Sequence, residues 1–246
     1  MKPTVNYVKA SASAVLDLVM PRVCVICGRE LSVDERTACG ECLADIPRTY
    51  FWLRERNPMA DRFNVSIGND GCYEPYCRAA ALFFYSGESL YSNITKSLKY
   101  HRCFSSGEYF GTMLGRLLAG STYFEGVDLV VPVPLHWTRR FKRGYNQAEI
   151  IASAIAKALG APMGASVLKR SRRTVTQTHI SRAAKAENLR GAFSPGVLPH
   201  VAPHHILLVD DVFTTGATLA ECHRALRQVY GPSIRISAAT LGCAAA

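Results

Sequence analysis

The segment His205-Ile206-Leu207-Leu208-Val209-Asp210-Asp211-Val212-Phe213-Thr214-Thr215-Gly216-Ala217-Thr218 decides how the rest of the chain is read. Ile206–Val209 is an apolar run of strand length. It feeds two carboxylates, then a turn of small hydroxylated residues, and Leu219–Val229 follows with helical character. A strand that hands the chain to a helix N-terminus suits a phosphate, because the first helical amides lack partners and the dipole favours an anion. Gly216 lets the backbone come close, and Thr214, Thr215 and Thr218 add hydroxyl donors. Asp210 and Asp211 can accept hydrogen bonds from a vicinal diol and place negative charge near a cationic sugar carbon. These residue types in this order fit a ribose 5-phosphate. An acidic strand end before an ordinary capped helix explains two aspartates, but not the whole order. The segment has neither the GK[ST] ending of an ATP-type phosphate loop nor the GxGxxG of a dinucleotide fold.

Outward from this segment, strands and helices alternate. Ala79–Tyr85 reads as a strand; Leu90, Ile94 and Leu98 recur at helical spacing; Glu108–Leu118 reads as a helix. Val127–Val133 is a strand stopped by Pro134, Gln147–Leu159 an amphipathic helix closed by Gly160, Val167–Leu168 the opening of a strand, and Ile234–Leu241 a last strand. The pattern predicts an α/β fold with a parallel sheet, and ligand sites beyond the strand ends at Val133 and Val209. Residues 1–20 predict a short helix with Val15, Leu18 and Val19 on one face. Residues 46–78 read as a polar, irregular connector, which divides the chain into 1–45, 46–78 and a main domain over 79–246.

The chain has 246 residues, 48% of them hydrophobic, enough for a real core, and a formal net charge of +10. That excess is local: residues 136–190 hold twelve Lys/Arg and two Glu, and 12 − 2 accounts for all of it. Such a stretch is either a solvated face or the mark of a polyanionic partner. Arg139-Arg140-Phe141-Lys142-Arg143 follows the Val127–Val133 strand and offers a second anion site, with charge for a departing pyrophosphate whose oxygens hold Mg²⁺. Residues 169–190 read as a mobile basic loop, in which His179 is a candidate ligand contact. Trp137, Phe141 and Tyr145 can stack nucleobases, although packing of the helix start is the simpler reading. Displacement at an anomeric carbon needs no side-chain nucleophile, and no general base for an acceptor stands out.

Four of the nine cysteines form Cys24-x2-Cys27-x11-Cys39-x2-Cys42. Each CxxC turn aims two sulfurs at one point, so two turns complete a tetrahedron that suits zinc, in a closed and therefore structural site. Iron is the alternative in this geometry. Cys103, Cys222 and Cys243 are isolated and read as buried apolar residues, and His204 and His205 as structural. The apolar stretch from Val15 to Val25 is broken by Asp17, Pro21 and Arg22, which argues against a secretory signal, and no run is long enough to cross a membrane.

Several segments carry a resemblance. The Asp210–Thr218 loop resembles the phosphoribosyl pyrophosphate motif of type I phosphoribosyltransferases. The chain is similar over nearly its whole length to the ComF (competence protein F) family, through Leu98-Lys99-Tyr100, Val130–Pro134, Arg143-Gly144-Tyr145-Asn146-Gln147, Arg170…Thr174…Gln177 and Asn188–Phe193. The resemblance implies a type I phosphoribosyltransferase-like domain behind an N-terminal zinc ribbon. It implies that Asp210 and Asp211 hold the ribose hydroxyls, and that Thr214, Thr215, Gly216, Ala217 and Thr218 cradle the 5-phosphate. The turn Pro134–Arg139 would face the pyrophosphate, Arg139, Arg143, Lys99 and Gln177 would bind substrate, and Lys169–Arg190 would close over the site. Cys24, Cys27, Cys39 and Cys42 would hold Zn²⁺, and Mg²⁺ would arrive with the ligand. A second CxxC pair common in such relatives is replaced here by Cys72-x4-Cys77, which puts a second zinc site in doubt. The family's link to natural transformation implies a cytoplasmic protein, free or at the inner face of the membrane with DNA-uptake proteins. Two functions follow: a phosphoribosyltransferase of unnamed acceptor, or a single-stranded-DNA-binding competence factor on the same fold.

Overall fold

The computed structural model describes residues 21–68, 75–171 and 189–245, except the side chain of Lys142. The expected helix at 1–20, Cys72, and Thr174, Gln177 and His179 of the expected basic loop lie outside the described residues.

In chain order the elements are α1 (Gly40–Ala44), a 3-10 turn (Phe51–Leu53), α2 (Pro58–Ile67), β1 (Ala79–Tyr85), α3 (Ser92–Tyr100) and α4 (Phe104–Ala119). A 3-10 turn (Thr122–Phe124), β2 (Leu129–Pro132), α5 (Trp137–Arg143), α6 (Gln147–Leu159), β3 (Leu168–Arg170) and β4 (Phe193–Pro195) follow. The chain closes with β5 (His205–Phe213), α7 (Ala217–Tyr230) and β6 (Arg235–Ala244). The main sheet has four strands in the order β1-β6-β5-β2, all parallel, as the alternating pattern predicts. β3 and β4 form a separate antiparallel pair. The sequence foresees only the opening of β3 and nothing of β4.

Ile206–Val209 is fully buried at the sheet centre, because a parallel sheet covered on both faces needs continuous apolar strands. Two helix pairs cover it, α4 on α6 and α2 on α7. The first pair closes on a glycine stripe. A Cβ at Gly111 would stand 2.9 Å from Ala154 Cβ and 3.0 Å from Ile151 O, and one at Gly115 2.7 Å from Ala158 Cβ. Backbones this close exclude any side chain. α6 has the predicted limits: Asn146 caps it by accepting from Ala148 N, and Gly160 ends it.

Two differences from the sequence reading matter for the site. The stretch read as irregular contains α2, which begins on the cap Asn57 with Pro58 at its first position and buries Met59, Ala60, Phe63 and Asn64. The cationic run Arg139–Arg143 is itself helical, in α5, where the sequence reading has it precede a helix.

Candidate functional site

β2 and β5 lie side by side, with Pro132 opposite Val209, and Val133 N donates to Val209 O at 2.8 Å. The chain after β2 therefore runs beside the acidic pair, but β5 continues to Phe213, so Asp210 and Asp211, expected to follow the strand Ile206–Val209, lie within it. Asn146 fixes the chain after β2 by donating from Nδ2 to Val133 O at 3.0 Å.

At the end of β5, Asp211 Oδ2 meets Lys99 Nζ at 2.7 Å, and both side chains are largely buried. Lys99 comes from the last turn of α3. Burial would push its ammonium down, but the charges of Asp211 and Asp210 outweigh that and raise its pKa. Burial pushes the Asp210 carboxyl up to about 7, helped by the charge of Asp211 and opposed by the Asp211 amide, Lys99 and Arg170. One member of the acidic pair thus titrates near neutrality.

Gly216 is the N-cap of α7, at φ 80°, and no side chain caps the helix there. Ala217 N meets Thr215 Oγ1 at 3.5 Å, and a helix start of this kind can receive an anion. A Cβ at Gly216 would stand 2.9 Å from the Phe213 ring and 3.1 Å from Ser66 Oγ. Gly216 is therefore constrained from inside as well as by its backbone angle; the sequence reading foresees the angle and the close approach of a ligand, but not the packing against Phe213 and Ser66.

The loop has a buttress that no local pattern announces. Arg62 of α2 donates to Ala244 O at 2.7 Å and to Thr214 O at 3.4 Å, and its guanidinium lies over the Phe213 ring. Ser66 Oγ donates to Thr215 O at 3.1 Å. A cavity of about 480 Å³ opens beside the loop, lined in part by Arg62, Ser66, Arg190, Thr214, Thr215 and Arg224.

The predicted cations divide. Arg140 pairs with Glu149 at 2.8 Å, and Arg143 lies over the Tyr100 ring. Arg170 is a site candidate that charge counting alone does not single out. Burial, then the nearby charge of Arg139, lowers its pKa, and Asp210 opposes that shift. Arg170 therefore feels the charges of both Arg139 and Asp210. Gln147 is buried at the start of α6, with its Nε2 lacking a hydrogen-bond partner among the described residues. Such a donor costs free energy until an oxygen meets it. Phe141 does not pack the helix start, being 90% exposed; Trp137 is 69% exposed, yet its ring meets that of the N-cap His136 at 5.7 Å. Tyr145 does pack, donating its hydroxyl to Leu98 O and meeting the Phe104 ring edge-on.

The sulfurs of Cys24, Cys27, Cys39 and Cys42 lie within 4.8 Å of one another, as the paired spacing requires, and can hold a metal such as zinc. The fit rests on the four converging sulfurs: burial opposes ionisation of Cys24, yet backbone hydrogen bonds at Cys27, Cys39 and Ile26 bring its thiol down to about 7, whereas burial and the neighbouring thiols push the Cys42 thiol up. Cys222 and Cys243 are buried as expected, but Cys103 is half-exposed at the start of α4. His205 is structural, with Nε2 2.9 Å from Ser237 Oγ and its pKa pushed down to about 4 by burial and Arg235. Among the described residues, no helix is long and apolar enough to cross a membrane.

A parallel sheet with an acidic strand end and an uncapped glycine turn beside a second basic loop is the layout of a phosphoribosyltransferase domain. Residues 146–241 match the phosphoribosyl transferase domain family. Competence protein F of Haemophilus influenzae is 36% identical over 110 residues, 44% of this chain and 48% of that protein, so the match spans about half the relative's length. DNA utilization protein YhgH of Salmonella typhi is 28% identical over 89% of this chain and 96% of its own. Competence protein ComFC of Bacillus subtilis is 27% identical over 94% of this chain and 82% of its own. Together these matches support membership of the ComF family, with a phosphoribosyltransferase-type fold.

Proposed function

We propose that this chain binds phosphoribosyl pyrophosphate with Mg²⁺ and transfers its phosphoribosyl group to an acceptor, in a process of DNA utilisation such as the names of its relatives describe. The observation that carries the reading is the convergence of Asp210, Asp211 and Lys99 at the strand end that opens onto the uncapped turn of α7. The two carboxylates hold the ribose hydroxyls. Thr214, Thr215, Gly216, Ala217 and Thr218 receive the 5-phosphate. Arg139, Arg143, Arg170 and Lys99 supply positive charge for the pyrophosphate, with Gln177 as a further contact and Gln147 Nε2 as a donor in reserve. Mg²⁺, when bound, neutralises pyrophosphate oxygens.

The bond from the anomeric carbon to pyrophosphate breaks with its electron pair leaving on oxygen, and the acceptor forms the new bond to that carbon. The carboxylates stabilise the cationic sugar between these events. Asp210, raised to about 7 by burial and by Asp211, is suited to take the acceptor's proton near neutral pH. The four cysteines hold one structural zinc.

A second reading has its own observation. Trp137 and Phe141 are strongly exposed beside Arg139 and Arg143, which suits stacking and phosphate contact with single-stranded DNA. Pyrophosphate release against a panel of acceptors, measured beside oligonucleotide binding with and without phosphoribosyl pyrophosphate, separates the two. Release with any acceptor supports transfer; strand binding without release, lost in Trp137→Ala/Phe141→Ala, supports the second reading.

A further inference from the structure

The four-cysteine module and the acidic pair touch opposite ends of one helix. At the start of α3, Asn93 Nδ2 donates to Ile26 O at 2.9 Å, inside the Cys24–Cys27 knuckle. At the other end three contacts fall on consecutive residues: Leu98 O accepts from the Tyr145 hydroxyl, Lys99 pairs with Asp211, and Tyr100 lies under Arg143. Six residues of helix separate Asn93 from Lys99, about 9 Å of rigid rise.

A lysine has a long, mobile stem, so a short pairing with one carboxylate oxygen requires its helix to be held in axial position. The Asn93 hydrogen bond is a polar tie from the helix to the cysteine knuckle. The knuckle's own backbone is ordered by whatever the sulfurs bind, since four ligands on one ion leave the two turns no freedom.

We infer that Asn93 is a positioning residue: it ties α3 to the Ile26 carbonyl, so that the filled cysteine site sets where Lys99 meets Asp211. The inference rests on the acidic pair as the ligand site, but the contact it concerns can be read without any ligand. Loss of the tie lets Lys99 leave Asp211 and face water.

The test is amine labelling of the full chain, followed by mass spectrometry at Lys99, with the exposed Lys157 as internal control. In the zinc-loaded wild type, Lys99 should label slowly. In zinc-loaded Asn93→Asp, shown by metal content and melting to be folded and filled, it should label severalfold faster, because an amine that leaves its carboxylate for water gives up its proton more readily. Metal-stripped wild type should show the same rise, with Lys157 unchanged throughout. If Asn93→Asp fails to fold, Asn93→Ser takes its place. Slow Lys99 labelling in a folded, zinc-loaded Asn93 variant overturns the inference, as does wild-type Lys99 labelling as fast as Lys157. The phosphoribosyl reading is tested separately by calorimetry with phosphoribosyl pyrophosphate, so failure of one is distinguishable from failure of the other.

Discussion

Lys99 Nζ stands 2.7 Å from Asp211 Oδ2, and the pair joins the last turn of α3 to the end of the central strand β5. It is a partly buried pair at the centre of the candidate site. Lys99→Met removes the counter-charge of Asp211 and leaves the charges of Asp210 and Asp211 to repel without it. Stability should fall by about 1–3 kcal/mol, between the worth of an exposed pair and of a broken buried one. Denaturant unfolding at neutral pH reads this. An unchanged midpoint would mean that water already screens the pair.

Asp210 gives a pH signature. Its folded pKa is raised from 3.8 to about 7. A carboxyl with a raised folded pKa favours the fold while protonated, so its contribution is present below the unfolded value and lost as pH rises through about 7. Asp210→Asn, which cannot ionise, should therefore melt above the wild type at pH 8, with the difference closing towards pH 4. Parallel melting curves across that range would show that Asp210 has an ordinary pKa.

The cysteine cluster predicts about one zinc per chain by metal analysis. Cys39→Ser, at a fully buried ligand, should lose the metal and loosen the segment before α2. Wild-type protein purified without metal, its four thiols freely titratable, would contradict the assignment.

The glycine stripe is a packing prediction. Gly111→Leu forces α4 away from Ile151 and Ala154, and overpacking of this kind costs about 1–3 kcal/mol. Melting of the variant should drop while its zinc content stays at the wild-type level, because the stripe and the cysteine cluster share no residue. No change in stability would mean that the two helices separate at little cost.

The sequence discloses the site more readily than its supports. β1 and α6 have their predicted limits, because an apolar run and a helix bounded by Asn146 and Gly160 are local signals. The Asp210–Thr218 segment is legible for the same reason, since strand, acids, glycine and helix are consecutive, although β5 runs on to Phe213 and α7 begins at Ala217, which leaves only Thr214–Gly216 as the turn. α2 carries a usable signal, Asn57-Pro58 as cap and first residue, but its polar surroundings outweigh it. Arg62 reaching Ala244, and Ser66 reaching Thr215, join residues remote in the chain, and no periodicity encodes such contacts. The run Arg139–Arg143 misleads in another way. Charge counting registers four cations, yet Arg140 is turned to Glu149 and Arg143 to Tyr100. Arg170 is marked in the sequence only through the family resemblance, and its electrostatic coupling to Arg139 and Asp210 appears only once the strands are placed.

The central claim is that the loop after β5 holds a ribose 5-phosphate whose pyrophosphate lies against the basic side. Isothermal titration of zinc-loaded protein with phosphoribosyl pyrophosphate and Mg²⁺ tests it most directly, with ribose 5-phosphate as comparison. Phosphoribosyl pyrophosphate should bind, ribose 5-phosphate should bind at least about tenfold more weakly for lack of the pyrophosphate contacts, and saturating ligand should raise the melting temperature by mass action. Asp211→Asn should keep most of the affinity while slowing any turnover, since its charge matters most to the cationic transition state. Gly216→Val, whose side chain would meet Phe213 and Ser66 at a φ of 80°, should abolish binding. No heat and no thermal shift at millimolar phosphoribosyl pyrophosphate with Mg²⁺, on folded and zinc-loaded wild type, would contradict the account.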